Sequence, residues 1–411
     1  MPEMTDRPIA APERRQLPTP PGLARRLVLV LAVATGVAVA NNYYAQPLLE
    51  AIRRSFHSGP GEAGLIVTAA QIGYAVGLIF LLPLGDLIER RRLAVVMSLV
   101  CAGGLLAYAA APDMGVLFAA AVLVGGTSVL AQVLVAFAAS LAREAERGRI
   151  VGSVMSGLLL GILLARTVAG YIAQASSWRV VYVVAAGLTA LVGLVSYFEL
   201  PRFKEEGSLS YPAALSSVLQ LFRNEPVLRR RSFYGFLSFG AFSVLWTTLA
   251  FLLSGAPYHY STGTIGLFGL VGAAGAGMAQ VGGRLADRGH QALVTLVTAA
   301  AILAAFVLLS AAPRDLAGLV VAVILLDLGC QGLHISNQSE IYKLAPKAKS
   351  RVNAVYMTSY FIGGTVGSVG AALCYGAAGW GATAGIGMGF GGAAFLVSLG
   401  ERRYSARRAT L

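Results

Sequence analysis

Charge is scarce in this chain. Only 12% of its 411 residues are Asp, Glu, Lys or Arg, about half the share of an ordinary soluble domain. Acids are scarcer than bases, 19 against 32, and there are four histidines. The three cysteines, Cys101, Cys330 and Cys374, each fall inside an apolar run. They read as small buried hydrophobes, not as a disulfide framework. No metal-ligand spacing, phosphate-cradling loop or nucleophile–base pair occurs, so the pattern argues against an enzyme and no cofactor is expected. What the chain has instead is 56% hydrophobic residues and 49 glycines. The apolar residues gather in runs of about 20, the length that crosses a bilayer as a helix.

Twelve such helices are expected, at 26–48, 63–86, 92–111, 114–141, 150–173, 179–200, 232–254, 263–284, 291–311, 315–338, 352–375 and 380–399. Breakers mark the turns: Gly59-Pro60-Gly61, Ala111-Pro112-Asp113, Gly255-Ala256-Pro257 and Ala312-Pro313-Arg314. Pro47 is expected to bend or end the first helix. Glycines inside spans, such as Gly363/Gly367 and Gly364/Ser368, predict close helix approach.

The net charge of +13 follows topology, not nucleic acid. With the N-terminus inside, the outer loops hold Arg53, Arg54, Arg179 and Arg314, and Arg166 lies within a span. That leaves 27 of the 32 bases on the cytoplasmic side, as the positive-inside rule requires. The proline-rich residues 1–24 are expected to be a flexible cytoplasmic tail, not a signal peptide.

One loop motif occurs twice, as Gly85-Asp86-Leu87-Ile88-Glu89-Arg90-Arg91-Arg92 and Gly283-Arg284-Leu285-Ala286-Asp287-Arg288-Gly289, with its aspartates 201 positions apart. A loop duplicated at that distance predicts two pseudo-symmetric six-helix bundles in an all-α membrane protein, at 25–200 and 232–400. A linker at 201–231 joins them, and 401–411 forms a second cytoplasmic tail. Leu215, Val218, Leu219 and Phe222 predict an amphipathic helix on the inner leaflet within the linker. Asp86, Arg90, Arg91, Gly283, Asp287 and Arg288 read as a conformational latch between helix ends.

Elimination isolates the chemistry. Among the acids only Asp327 falls near the middle of a span, where an unpaired carboxylate is costly and marks function by default. Asp327, Gln331, His334 and Gln338 share one helix face through steps of 4, 3 and 4, with Asn337 beside them. That stripe should face a water-filled cavity. His334 is either a titrating group or a neutral hydrogen-bonded one. Arg166 is the only base within a span, in the outer third of its helix. It either attracts Asp327, directly or through water, or snorkels to the outer surface. Asn41, Tyr43, Tyr44 and Gln46 form either a binding wall or an interfacial belt. Gln71, Gln132, Trp246 and Asn353 are further isolated candidates for a substrate-binding lining.

These residues resemble the major facilitator superfamily over essentially the whole chain. Its loop between helices 2 and 3 reads G-x-x-x-D-R-x-G-R-R. Gly283, Asp287 and Arg288 match in the second copy. Asp86, Arg90 and Arg91 match in the first, where Leu82, Leu87 and Glu89 depart. Gly161 to Gly170 is similar to the exporter motif G-x-x-x-G-P-x-x-G-G, with Ala165-Arg166 in place of Gly-Pro and Ala169 for one glycine. Gly125-Gly126-Thr127 stands near where proton-coupled antiporters carry a helix 4 arginine, which shifts weight to Asp327. Asn42–Leu49, Trp178-Arg179 and Asn337–Tyr360 resemble the arabinose-efflux-permease-like branch of drug and metabolite exporters. The resemblance implies a bacterial inner-membrane transporter that exchanges protons for a small organic substrate, and twelve spans can work as a monomer. The alternatives are uptake of an organic anion or sugar, and a non-transporting membrane receptor.

Overall fold

The computed structural model describes residues 21–143, 146–204, 210–272, 291–344 and 349–409, apart from the side chains of Asp86 and of residues 21–24, 349–350 and 403–409. Helices carry almost all of it, and no strand occurs among the described residues. The first half runs α1 (Pro21–Ala40), α2 (Ala45–Phe56), α3 (Pro60–Phe80), α4 (Arg90–Ala110), α5 (Met114–Thr127), α6 (Leu130–Leu141), α7 (Arg147–Ala175) and α8 (Trp178–Glu199). After α9 (Tyr211–Asn224) the second half runs α10 (Pro226–Ser254), α11 (Thr262–Gly272), α12 (Gln291–Ala311), α13 (Leu316–Leu344) and α14 (Lys349–Ala409).

Ten stretches of the described residues are long and apolar enough to cross a membrane. One of them, α14, breaks at Gly379 (φ 71°), a left-handed conformation that glycine adopts without strain. It therefore carries two of the expected spans. Helix α11 begins the eighth span, and the rest of that span lies outside the described residues. Large apolar side chains such as Leu29, Leu99, Leu160, Phe198, Leu373 and Leu396 point outward, the surface that a helical bundle turns to lipid.

The first span differs from its expected form. It does not end near Pro47 but runs to Phe56, and it breaks at 41–44. Pro47 has no N–H for the Tyr43 carbonyl, and its ring crowds that carbonyl. The chain therefore tightens before it: Asn42 N donates to Val39 O (3.2 Å) and Tyr43 N to Ala40 O (2.9 Å). Pro47 itself sits in the first turn of α2, where a missing N–H costs nothing.

Duplication is visible in the packing. On α1 and α7 the backbones of Ala32 and Gly36 meet Gly157 and Gly161 with no room for a side chain. On α10 and α14, 204 to 206 positions later, Phe236 and Gly240 meet Gly363 and Gly367 in the same way. An ion pair repeats as well. Arg26 at the start of α1 holds Glu199 at the end of α8. Arg231 at the start of α10 holds Glu401 (3.0 Å), with Arg230 (3.2 Å) and the Tyr234 hydroxyl (3.1 Å) on the same carboxylate.

The two halves meet towards the end of the molecule that carries Arg53, Arg54, Arg179 and Arg314. There α3 lies on α14. Gly64 faces Ala372, Thr68 Oγ1 is 2.8 Å from Ser368 Oγ, and Tyr74 stacks on Phe361 at 4.0 Å. Beside it α7 lies on α11: the Thr167 hydroxyl donates to Gly266 O (3.0 Å) and the Ser261 hydroxyl to Gln174 Oε1 (2.9 Å).

This seam sets a prediction. Thr68→Cys with Ser368→Cys, in a chain with Cys374→Ser, should cross-link on oxidation. A seam that must part during turnover would then slow transport by at least about tenfold, as for other gated steps, with recovery on reduction. Normal flux in the fully cross-linked protein would show that the seam never opens.

Candidate functional site

The break at 41–44 divides the residues that the sequence grouped into one wall. Asn41 and Tyr44 turn into the first half. Asn41 Nδ2 reaches Cys101 Sγ (3.4 Å) and Thr189 Oγ1 (3.3 Å), and Tyr44 lies near Cys101 and Tyr182. Tyr43 and Gln46 turn the other way, to Arg166. The guanidinium carbon of Arg166 is 4.9 Å from the Tyr43 ring, and its Nε donates to Gln46 Oε1 at 2.6 Å.

Arg166 is 2% exposed, so it does not snorkel. Three aromatic faces surround it: Tyr43, Phe242 at 5.6 Å and Trp246 at 3.7 Å. A desolvated guanidinium over an indole gains about 2 kcal/mol. Its Nη2 is buried without a hydrogen-bond partner. A void of about 10 Å³, the space one water needs, lies beside it, between Gln46, Pro47, Trp246, Leu249, Ala250 and Ile265.

Asp327 is 5% exposed and sits at the N–H edge of the same indole. The Nε1–H of Trp246 donates to Asp327 Oδ1 at 3.3 Å. Arg166 and Asp327 make no direct hydrogen bond or ion pair among the described residues. The two charges attract each other directly across space, and both also touch Trp246. Helix α11 closes the arrangement with bare backbone: a side chain at Gly269 would strike Arg166, and one at Gly272 would strike Asp327 Oδ2. One cation from the first half and one anion from the second thus share an aromatic ring at the seam.

The rest of the α13 stripe leads away from this centre. Gln331 is half-buried. His334 Nδ1 lies 3.0 Å from the Tyr356 hydroxyl, and Asn337 Nδ2 reaches the same oxygen at 3.5 Å. Gln338 Nε2 donates to Asn353 Oδ1 (3.3 Å), as does the Tyr342 hydroxyl (3.0 Å). His334 and Asn353 therefore join α13 to α14 within the second half. Gln132 is half-buried beside the Tyr74 hydroxyl. Gln71 is a bridge between halves: its Nε2 donates to Ser243 Oγ (2.9 Å) and its Oε1 accepts from Ser368 Oγ (3.2 Å).

Of the latch residues, Arg90 is buried. Its Nε donates to Gly85 O (3.0 Å) and its Nη1 to Ser140 Oγ (2.9 Å). Arg91 lies over the Tyr197 ring at 5.0 Å and 3.8 Å from Glu89. These contacts tie the start of α4 to the first half. Gly283, Asp287 and Arg288, and the side chain of Asp86, lie outside the described residues.

Sequence reasoning passed over Ser243, Arg231 and Glu401, took Ser368 only as a small residue for close helix approach, and gave Trp246 no special place. Indoles and hydroxyls on apolar helices carry no spacing signal. The one available hint was an isolated Trp at the depth of the isolated Arg and Asp.

A polytopic helical bundle built twice, with a buried cation and anion on one indole where the copies meet, is the architecture used by membrane transporters. The sequence pattern of the Major Facilitator Superfamily matches residues 31–368, and the chain belongs to that family. "Uncharacterized transporter YgaY" of Escherichia coli O157:H7 is 47% identical over 358 residues, 87% of this chain and 91% of that protein. "Probable transporter SCO4007" of Streptomyces coelicolor is 35% identical over 382 residues, 92% and 89% of the two chains. Among solved structures, the nucleoside transporter NupG superposes with a TM-score of 0.74 at 14% identity, over 91% of this chain and 99% of that one. The partially occluded inward open xylose transporter XylE of Escherichia coli superposes with a TM-score of 0.69 at 15% identity, over 91% and 97%. At those identities the solved structures speak for the fold.

Proposed function

We propose that the protein is a proton-coupled exporter of a small organic compound, working by alternating access in a bacterial inner membrane. The observation that carries this reading is the buried Asp327, bonded to Trp246, with Arg166 on the same ring. A carboxylate at bilayer depth with a cation near it but no direct ion pair can take up and release a proton at modest cost. Protonation removes its attraction for Arg166, and the halves that carry the two residues lose one tie.

The charge pattern supports cytoplasmic termini. On that orientation the seam begins at the outer side of the membrane. The repeated glycine contacts and ion pairs support a division into two bundles, which we place at 25–200 and 232–400 with a linker at 201–231. Tyr43, Gln46, Gln331 and His334 are the proposed lining. Gln71 belongs to the outer gate, and Asp86, Arg90, Arg91, Gly283, Asp287 and Arg288 to the inner latch. Arg166, Trp246 and Asp327 all come from one chain, which supports a monomer.

A second reading, uptake of a small organic anion, draws on the unpartnered Arg166 Nη2, a donor that a carboxylate would satisfy.

The test is a thermal-shift screen of drugs, sugars and organic acids at two pH values, followed by flux of each hit in inside-out vesicles. An exporter accumulates its cargo when the lumen is acidified. Accumulation only with an alkaline lumen selects the uptake reading. Ligand binding with no flux under any gradient refutes transport.

A further inference from the structure

Trp246 holds two interactions in series. Its N–H, in the ring plane, meets the carboxylate of α13. Its π face meets the guanidinium of α7. The two are not independent. An indole that donates to an anion gains electron density, and a richer ring binds a cation more strongly. Protonation of the carboxylate weakens the hydrogen bond, and the ring then holds the guanidinium less well. The backbone of α11 packs directly on both charged side chains at Gly269 and Gly272, where a Cβ would strike Arg166 and Asp327.

We propose that Trp246 is the positioning residue that transmits the protonation state of Asp327, in the second half, to Arg166 in the first. The inference rests on the reading of Asp327 as proton carrier. It adds that coupling needs the indole N–H, and not only the presence of two charges.

The charged and titratable groups around Asp327 are few. Arg166 comes from α7, Tyr43 from the break between α1 and α2, Cys330 from α13 itself and Tyr360 from α14. Helix α11 contributes glycine. Among the described residues no second carboxylate faces this centre, so one proton site dominates the response.

Trp246→Phe keeps an aromatic face for Arg166, which also retains Tyr43 and Phe242, but it removes the donor. Wild type, Trp246→Phe and Asp327→Asn are reconstituted, and flux driven by a pH gradient is compared with substrate counterflow. The ratio of the two should fall about tenfold in Trp246→Phe, as expected for losing one hydrogen bond to a charged group, and its pH profile should flatten. A wild-type ratio in Trp246→Phe, with the ratio lost in Asp327→Asn, overturns the relay and leaves the carrier standing. A wild-type ratio in Asp327→Asn removes the carrier and the relay with it.

A second measurement does not need the Phe variant to fold. The chain has three tryptophans, and Trp178→Phe with Trp380→Phe leaves Trp246 as the sole emitter. Its emission maximum should move between acidic and neutral pH and should stand still once Asp327→Asn is added. A pH response that survives Asp327→Asn, or no pH response while Asp327 itself is present, overturns the proposal.

Discussion

Asp327→Asn should reduce proton-driven transport to the background of empty vesicles while the protein still folds and binds its substrate. Asparagine has the same shape, and its Oδ1 can still accept from the Trp246 N–H, now 3.3 Å from the carboxylate. What disappears is the charge and the proton. Substrate affinity should hold within about tenfold, the span between a neutral and a charged hydrogen bond. The folded state should gain stability, because an ion at bilayer depth is replaced by a neutral amide. A thermal melt, a binding isotherm and a pH-jump flux assay separate the three effects. Undiminished proton-coupled flux would remove Asp327 from the mechanism.

That prediction was within reach of the sequence, because acids are so few. A single carboxylate at mid-span stands out by elimination, and the structure buries it at the seam. Arg166 stood out for the same reason, and its depth in the outer third of α7 was readable from the helical rise. The link between them was not. Trp246 is 81 positions from Asp327 and 80 from Arg166, on a helix whose apolar residues all look alike in sequence. Only the crossing of α7, α10, α11 and α13 brings the three side chains to one point.

Asn41, Tyr43, Tyr44 and Gln46 failed as a single wall for a local reason. Pro47 acts on the turn before it, so neighbours in sequence face opposite sides of the first half. The fold itself was more legible than the site. Apolar run length and breakers marked the spans, and the duplicated loop marked the repeat. The stronger repeat stayed hidden, because it lies in backbone contacts. Ala32 and Phe236 share no chemistry, yet each gives its helix backbone to a glycine on the crossing helix.

Those glycines carry the second large effect. Gly161→Ala and Gly367→Ala should each destabilise the protein by about 1–3 kcal/mol or more, the usual cost of forcing a methyl into a filled interior. A Cβ at Gly161 would fall on Gly36 O, and one at Gly367 on Gly240 O. A backbone carbonyl cannot rotate away as a side-chain tip can, so the helices themselves must part. Gly103 and Gly187 are the controls. They lie in helix interiors, and a methyl group on either would have no atom within 4 Å of it. Alanine there should be neutral or stabilising by about 0.5–1 kcal/mol. The two damaging changes sit in different bundles, so their costs should add within about 0.5 kcal/mol. Equal single losses in melting temperature, with an additive double variant, would mark the crossings as equivalent parts of a repeated unit. Tolerance of alanine at Gly161 and Gly367 would mean that close backbone contact does not hold these helices together.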